Sequence, residues 1–162
     1  MNRCRQRGVT LIEVLVALAI LGIAVLGHTR LQMVGIRSNT DAGARTQVST
    51  ELNKLADAIR LNRSAAAGAY AGVDYNAINC AAGSEPATAC RDRDGTSATN
   101  CAAADLVTED AWIYMCALTA AVPSATTALT WDGDAYLMTT GWTTLQLDGT
   151  ESAESFSLQI NP

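Results

Sequence analysis

The chain is poor in the residues that most chemistry requires. It has one histidine, His28, and no Cys-x-x-Cys pair, so the usual ligand sets for zinc are missing. His28 has no Ser or Cys near it to act as nucleophile beside a base, and no phosphate-binding glycine cluster occurs. Neither an enzyme activity, a metal nor a cofactor is expected. Aromatic residues make up only 5% of the chain, which limits the core to a modest size. Positive charge is scarce as well. Of 11 Lys and Arg residues, Arg3, Arg5 and Arg7 crowd the start, and 16 acidic residues outnumber all of them. An acidic domain of this kind repels phosphates, so no nucleic acid is expected as a partner.

What is present is unevenly spread. Val9 to Leu26 is apolar except for Thr10 and Glu13, whereas the remainder is rich in Ala, Thr, Asp and Gly. One segment belongs in lipid and the rest in water. The three arginines ahead of the apolar run hold that end in the cytoplasm by the positive-inside rule, which places the C-terminal part outside. At 162 residues the chain has room for one ordinary domain and one long appendage.

Glu13 is the anomaly in the apolar run. A carboxylate in a membrane span costs on the order of 2.5–3.5 kcal/mol on insertion scales, so it needs a partner. If the chain is cut after Gly8, Val9 acquires an α-amino group one helical turn before Glu13. That amine can neutralise the carboxylate in its own chain or in a neighbour, and the free N–H groups of the new helix end favour an anion there too. A Glu13 that finds the next chain's Val9 amine would set the register between stacked subunits. An ordinary secretory signal would tolerate Glu13 badly and would be removed after the apolar run; a plain anchor would need neither Gly8 nor Glu13.

Gly8, Val9, Thr10, Leu11, Ile12 and Glu13, with the apolar run behind them, resemble the class III signal of type IV prepilins and of type II secretion pseudopilins. The resemblance implies cleavage between Gly8 and Val9 by a membrane aspartyl prepilin peptidase, methylation of the new N-terminus, and a Glu13 used in assembly. Val9 departs from the family, where Phe is usual.

The helix need not stop at the membrane boundary. No proline occurs from Leu31 to Ala67, and Val48, Leu52, Leu55 and Ile59 recur at spacings of four, three and four, one apolar stripe on a helical face. A continuous helix from Val9 to about Ala66 would be roughly 85 Å long. His28 reads as an interfacial residue, and Arg30, Arg37 and Arg45 as a solvated helix face. The expected divisions are a leader at 1–8, a membrane or filament-core helix at 9–29, a second helical half at 30–67 and a globular domain at 68–162.

Residues 68–100 read as a long loop rich in Ala, Gly, Asn and Ser. Within it Asp92-Arg93-Asp94-Gly95 resembles the opening of a calcium loop, but the later acidic ligand is missing and a solvated turn is the better reading. Ala103 to Ala121 predicts a second helix, with Asp105, Glu109 and Asp110 early in it, Leu106, Trp112, Ile113, Cys116 and Leu118 as its apolar set, and Pro123 beyond its end. Thr127 to Trp131 alternates, Asp132-Gly133 marks a turn, Ala135 to Leu147 continues with Tyr136, Met138 and Trp142 at even spacing, Asp148-Gly149 turns again, and Phe156, Leu158 and Ile160 form a last strand. The expected class is α+β, a long N-terminal helix on a small antiparallel sheet.

Cys4 lies in the basic leader, and Cys80, Cys90, Cys101 and Cys116 all fall in the exported part, where four cysteines imply two disulfides. Cys80 with Cys90 closes a short loop without strain and is the preferred pair, leaving Cys101 with Cys116. Cys101 reaches Cys116 only if its segment folds back along the helix, so the crossed pairings stay open.

The helix with Trp112 and Cys116, the Val122-Pro123 stop, the strand ending in Trp131-Asp132 and the terminal Phe156-Ser157-Leu158-Gln159-Ile160 resemble the minor pilins of the type IV pilus modification (PilV) family. That resemblance implies a pilin fold in the inner membrane with its C-terminal domain in the periplasm. It also implies other minor pilins and the major pilin as partners, and a part in starting pilus assembly at the fibre tip, supporting adhesion or twitching motility. A pseudopilin of a type II secretion piston and a tip adhesin whose loop binds a surface ligand are the rival readings.

Overall fold

The computed structural model describes residues 10–92, 98, 100–146 and 149–162. The chain forms two compact units, Met1–Thr40 and Asp41–Pro162. Helix α1 spans Leu11–Leu61 and α2 spans Ala103–Ala121; strands β1, β2 and β3 span Thr126–Trp131, Tyr136–Leu145 and Glu151–Ile160. Short 3-10 turns at Ala69–Gly72 and Tyr75–Ala77 interrupt the connection between the helices.

The second unit is built on the expected stripe. Val48, Leu52, Leu55 and Ile59 are 0–2% exposed and share one core with Ala111, Tyr114 and Leu118 of α2 and with Leu129, Met138, Trp142 and Ile160 of the sheet. Fully burying a side chain of this size stabilises by roughly 1.5–3 kcal/mol. α1 ends at Leu61, short of the expected limit near Ala66, although the following residues are mostly good helix formers. Asn62 is drawn into tertiary contact instead: its amide Nδ2 donates to Tyr70 Oη at 3.1 Å and to the Ala103 carbonyl at 3.0 Å. Beyond it the chain folds in tight turns, Ala65 N to Asn62 O and Ala69 N to Ala66 O.

The sheet is an antiparallel meander in the order β1-β2-β3. Its register sets Leu129 opposite Met138, Thr127 opposite Thr140, Tyr136 opposite Ile160 and Met138 opposite Leu158, which gathers the inward residues of all three strands on one face. Ile160 is fully buried, but Phe156 of the same strand is 39% exposed. At the β1–β2 turn, Asp132 Oδ1 accepts from the backbone N–H of Asp134 and Ala135, and Gly133 takes a φ of 111°. Those two bonds hold the Asp132 carboxyl below the usual carboxylate range. Gly68 has φ 73°, and a Cβ there would lie 3.0 Å from the Trp131 ring, so a side chain is excluded twice over.

α2 has its expected bounds, but of its expected apolar set only Leu118 is fully buried. Val107, Ala111, Tyr114, Met115 and Leu118 are the residues turned to the core, while Leu106, Trp112, Ile113 and Cys116 are only half-buried. A helix flanked on more than one side has no single apolar stripe to read. At its start, Asp105 Oδ2 accepts from Ala102 N at 3.1 Å, satisfying an end N–H in place of a backbone carbonyl.

The cysteines pair as Cys80–Cys116 and Cys90–Cys101, with Cα separations of 5.3 and 5.6 Å. The preferred pairing of Cys80 with Cys90 is therefore wrong, and one of the alternatives left open holds, with Cys90–Cys101 nested inside Cys80–Cys116. Cys101 stands two residues before α2, whereas Cys116 lies far along it. The segment that does run beside that part of α2 is the one carrying Asn79, whose carbonyl accepts from Trp112 Nε1 at 3.1 Å, so Cys80 is the cysteine within reach. In the loop-closure model the separations of 36 and 11 residues correspond to about 4 and about 3 kcal/mol.

A long N-terminal helix, a three-stranded antiparallel sheet and a disulfide-bonded connection make this an α+β pilin fold.

Candidate functional site

Glu13 lies in the first turn of α1, exposed, with the Thr10 carbonyl accepting from Glu13 N at 3.1 Å and Val14 N at 3.3 Å. The unsatisfied N–H groups of a helix start favour negative charge in the first turn. Around and beyond it the apolar side chains are uncovered: Leu11 is 81% exposed, Ile12 65% and Ile23 74%. An 18-residue window of α1 has a mean hydropathy of 2.4, so the helix is long and apolar enough to cross a membrane. Gly8 and Val9 lie outside the described residues, as do Cys4 and the leader arginines.

Further along α1, His28 Nε2 and Gln32 Nε2 approach to 2.9 Å across one helical turn, on an exposed surface. Arg45 is exposed, as its reading as part of a solvated face has it, and its Nη2 also donates to Glu154 Oε2 of β3 at 2.9 Å. The pair is largely solvent-screened and contributes little, roughly 0–1 kcal/mol.

The globular unit contains a polar network that the sequence did not reveal. Glu109 and Asp110, expected as acids near the start of α2, are 0% and 5% exposed. Asp110 Oδ2 accepts from Tyr70 Oη at 2.7 Å, and Asp110 Oδ1 accepts from Arg91 Nη2 at 2.6 Å. Glu109 Oε1 accepts from Cys90 N at 3.1 Å, and its Oε2 lies 3.9 Å from Arg91 Nη1. The groups that meet these two buried carboxylates thus include a guanidinium, a phenol and a backbone N–H. Tyr75 Oη donates to the Tyr70 carbonyl at 3.1 Å, and Tyr114 Oη lies 2.9 and 2.8 Å from the hydroxyls of Thr127 and Thr140, joining α2 to β1 and β2. Burial pushes the phenols of Tyr70, Tyr75 and Tyr114 well above the usual tyrosine value; nearby Asp110 adds to the rise at Tyr70. The one available signal was two tyrosines, Tyr70 and Tyr75, in a stretch otherwise made of small and polar residues.

Among the described residues, no group of three or more His, Cys, Asp or Glu is placed to hold a metal ion. Of the segment resembling a calcium loop, Asp92 accepts from Ala98 N through Oδ1 at 2.6 Å; Arg93, Asp94 and Gly95 lie outside the described residues. The arrangement offers binding and assembly surfaces: an uncovered apolar helix with one carboxylate, and a covalently braced domain.

A family model described as the prokaryotic N-terminal methylation motif matches residues 3–27, the span that contains Gly8, Val9 and Glu13. No curated protein and no solved structure matches the chain. The motif, with the apolar helix behind it, supports a type IV pilin-like protein, a pilin or pseudopilin, consistent with a single-pass membrane anchor.

Proposed function

We propose that this chain is a minor pilin of the PilV kind, a structural subunit rather than an enzyme. It would be inserted in the inner membrane by α1, with its globular unit in the periplasm. The observation that carries this reading is the methylation motif at residues 3–27 placed at the head of a helix whose apolar side chains are uncovered. A prepilin peptidase cuts between Gly8 and Val9 and methylates the new amine. Glu13 then pairs with an N-terminal amine, its own or a neighbour's, as the helix leaves lipid for the filament core. Moving this apolar surface from one dry environment to another costs little, so the charge pairing sets the register.

In this role the subunit joins other minor pilins in a complex that starts polymerisation of the major pilin, at the fibre tip, and so supports adhesion or twitching motility. Deleting the gene and counting surface pili tests it: few or no pili are expected, and normal pili with blocked export of secreted proteins would move the chain to a type II secretion piston. Pull-down of the detergent-solubilised chain should recover other pilins.

A further inference from the structure

We propose that the outer edge of β3 is a strand-addition site that takes an extended backbone segment from a different subunit of the assembly, an inference that rests on the subunit reading above. At the β2–β3 turn Gln146 N donates to the Thr150 carbonyl at 2.7 Å, which fixes the alternation along the ladder. The pairs Thr144–Ser152, Trp142–Glu154 and Thr140–Phe156 exchange backbone bonds, and the N–H and C=O groups of Glu151, Ala153, Ser155, Ser157 and Gln159 point away from β2. All of those outward residues are exposed. Among the described residues, no group outside β2 bonds to the main chain of β3. The opposite edge of the sheet is treated differently. Thr127 of β1 also turns its N–H and C=O outward, and Asn76 takes both: its Oδ1 accepts from Thr127 N at 3.0 Å and its Nδ2 donates to the Thr127 carbonyl at 3.1 Å. A side-chain amide there stands in for a neighbouring strand.

β3 has few of the devices that keep an edge from pairing. It runs 10 residues in unbroken register, without Pro, Lys or Arg, and its charges, Glu151 and Glu154, fall near its start. Ser155 to Ile160 is uncharged, and Phe156 within it is 39% exposed. Once water is excluded, polar groups repeated at every second residue are met in full only by another extended chain. A second copy does not fit as the donor. Antiparallel pairing of two β3 strands places a two-fold axis through the sheet, and that axis reverses the α1 segments, Val48 to Ile59, that share a core with it. Two chains anchored in one membrane by α1 need those segments parallel, so the donor is a different subunit. Glu154 is paired with Arg45, whereas Glu151 has no ion pair among the described residues. The donor strand that fits has a Lys or Arg opposite Glu151 and an apolar residue beside Phe156.

The test compares Ser155→Pro with Ser155→Ala in pull-downs of the detergent-solubilised full chain, read by immunoblot for other pilin-like subunits. Proline removes an outward N–H and blocks the edge but leaves the β2–β3 bonds in place, so both variants should share one urea unfolding midpoint. Recovery of at least one partner subunit should fall about tenfold or more with Ser155→Pro and stay at the wild-type level with Ser155→Ala. Full recovery with a folded Ser155→Pro chain would overturn the proposal and leave the subunit reading standing. A wild-type chain that recovers no pilin-like subunit would defeat both. If Ser155→Pro does not fold, hydrogen exchange of the wild-type chain decides. The amides of Ala153, Ser155, Ser157 and Gln159 should exchange fast in the isolated chain and become protected in the recovered complex, while those of Ser152, Glu154, Phe156 and Leu158 stay slow in both. Outward amides that gain no protection on assembly would overturn the proposal equally.

Discussion

From Leu11 to Leu26, α1 is apolar except for Glu13, yet its large apolar side chains are exposed, Ile23 at 74% and Leu26 at 70%. From Val48 to Ile59 the same helix is mixed in character, and Val48, Leu52, Leu55 and Ile59 are at most 2% exposed. The less apolar region is the buried one. A stripe suffices where the chain itself supplies the opposing surface, as α2 and the sheet do. An all-round apolar helix that is uncovered among the described residues is stable only in lipid or among other helices. The two regions also handle charge differently. Glu13 is exposed in the first turn of α1, whereas Glu109 and Asp110 are buried and met by groups that include Arg91, Tyr70 and the backbone of Cys90.

The sharpest way to break this contrast is to remove the charge from the outer region. Glu13→Val makes the span more apolar, so membrane insertion should persist while recovery of the chain in sheared pili falls at least about tenfold, read by immunoblot of the pilus and membrane fractions. Equal recovery in pili would remove the assembly role of Glu13. Next, Leu52→Ala should cost about 3 kcal/mol in urea unfolding of the globular unit, whereas Leu18→Ala should leave that transition unchanged. A matching loss at both positions would mean that the two regions are not independent.

A third test uses the buried phenols. Tyr70, Tyr75 and Tyr114 have raised values in the folded chain, so their contribution is complete below the ordinary tyrosine value near pH 10. Above it the unfolded chain gives up protons that the folded chain keeps, and stability falls as pH rises. Tyrosinate absorbance should therefore rise together with loss of tertiary signal; free titration of all tyrosines near pH 10 in a folded chain would contradict the structure. Smaller again, Tyr114→Phe should cost about 1–2 kcal/mol by leaving the Thr127 and Thr140 hydroxyls to each other. Smallest, Arg45→Ala should change stability by no more than about 1 kcal/mol, with an effect that vanishes in high salt.

Much of the fold was legible because it rests on short-range patterns. The stripe at Val48, Leu52, Leu55 and Ile59, the bounds of α2 and the alternation of Tyr136, Met138 and Trp142 are local periodicities, and each appears where expected. The misread parts depend on segments distant in sequence. α1 stops at Leu61 because Asn62 bonds to Tyr70 and Ala103; the face of α2 was misassigned because both the core and the Cys80 segment border it; the disulfides nest, Cys90–Cys101 inside Cys80–Cys116, because Asn79 runs beside Trp112. Asp105, Glu109 and Asp110 look alike as early acids of a helix, yet Asp105 satisfies the helix end while the other two are buried.

The sequence by itself determined the apolar helix, the lone carboxylate at Glu13 and the leader pattern around Gly8 and Val9, because lipid compatibility and processing depend on contiguous residues. It also determined the α+β class through its periodicities. Only the tertiary structure decided which cysteines meet, where α1 ends and which acids are buried, because each of these is fixed by groups dozens of residues apart whose approach no local pattern records.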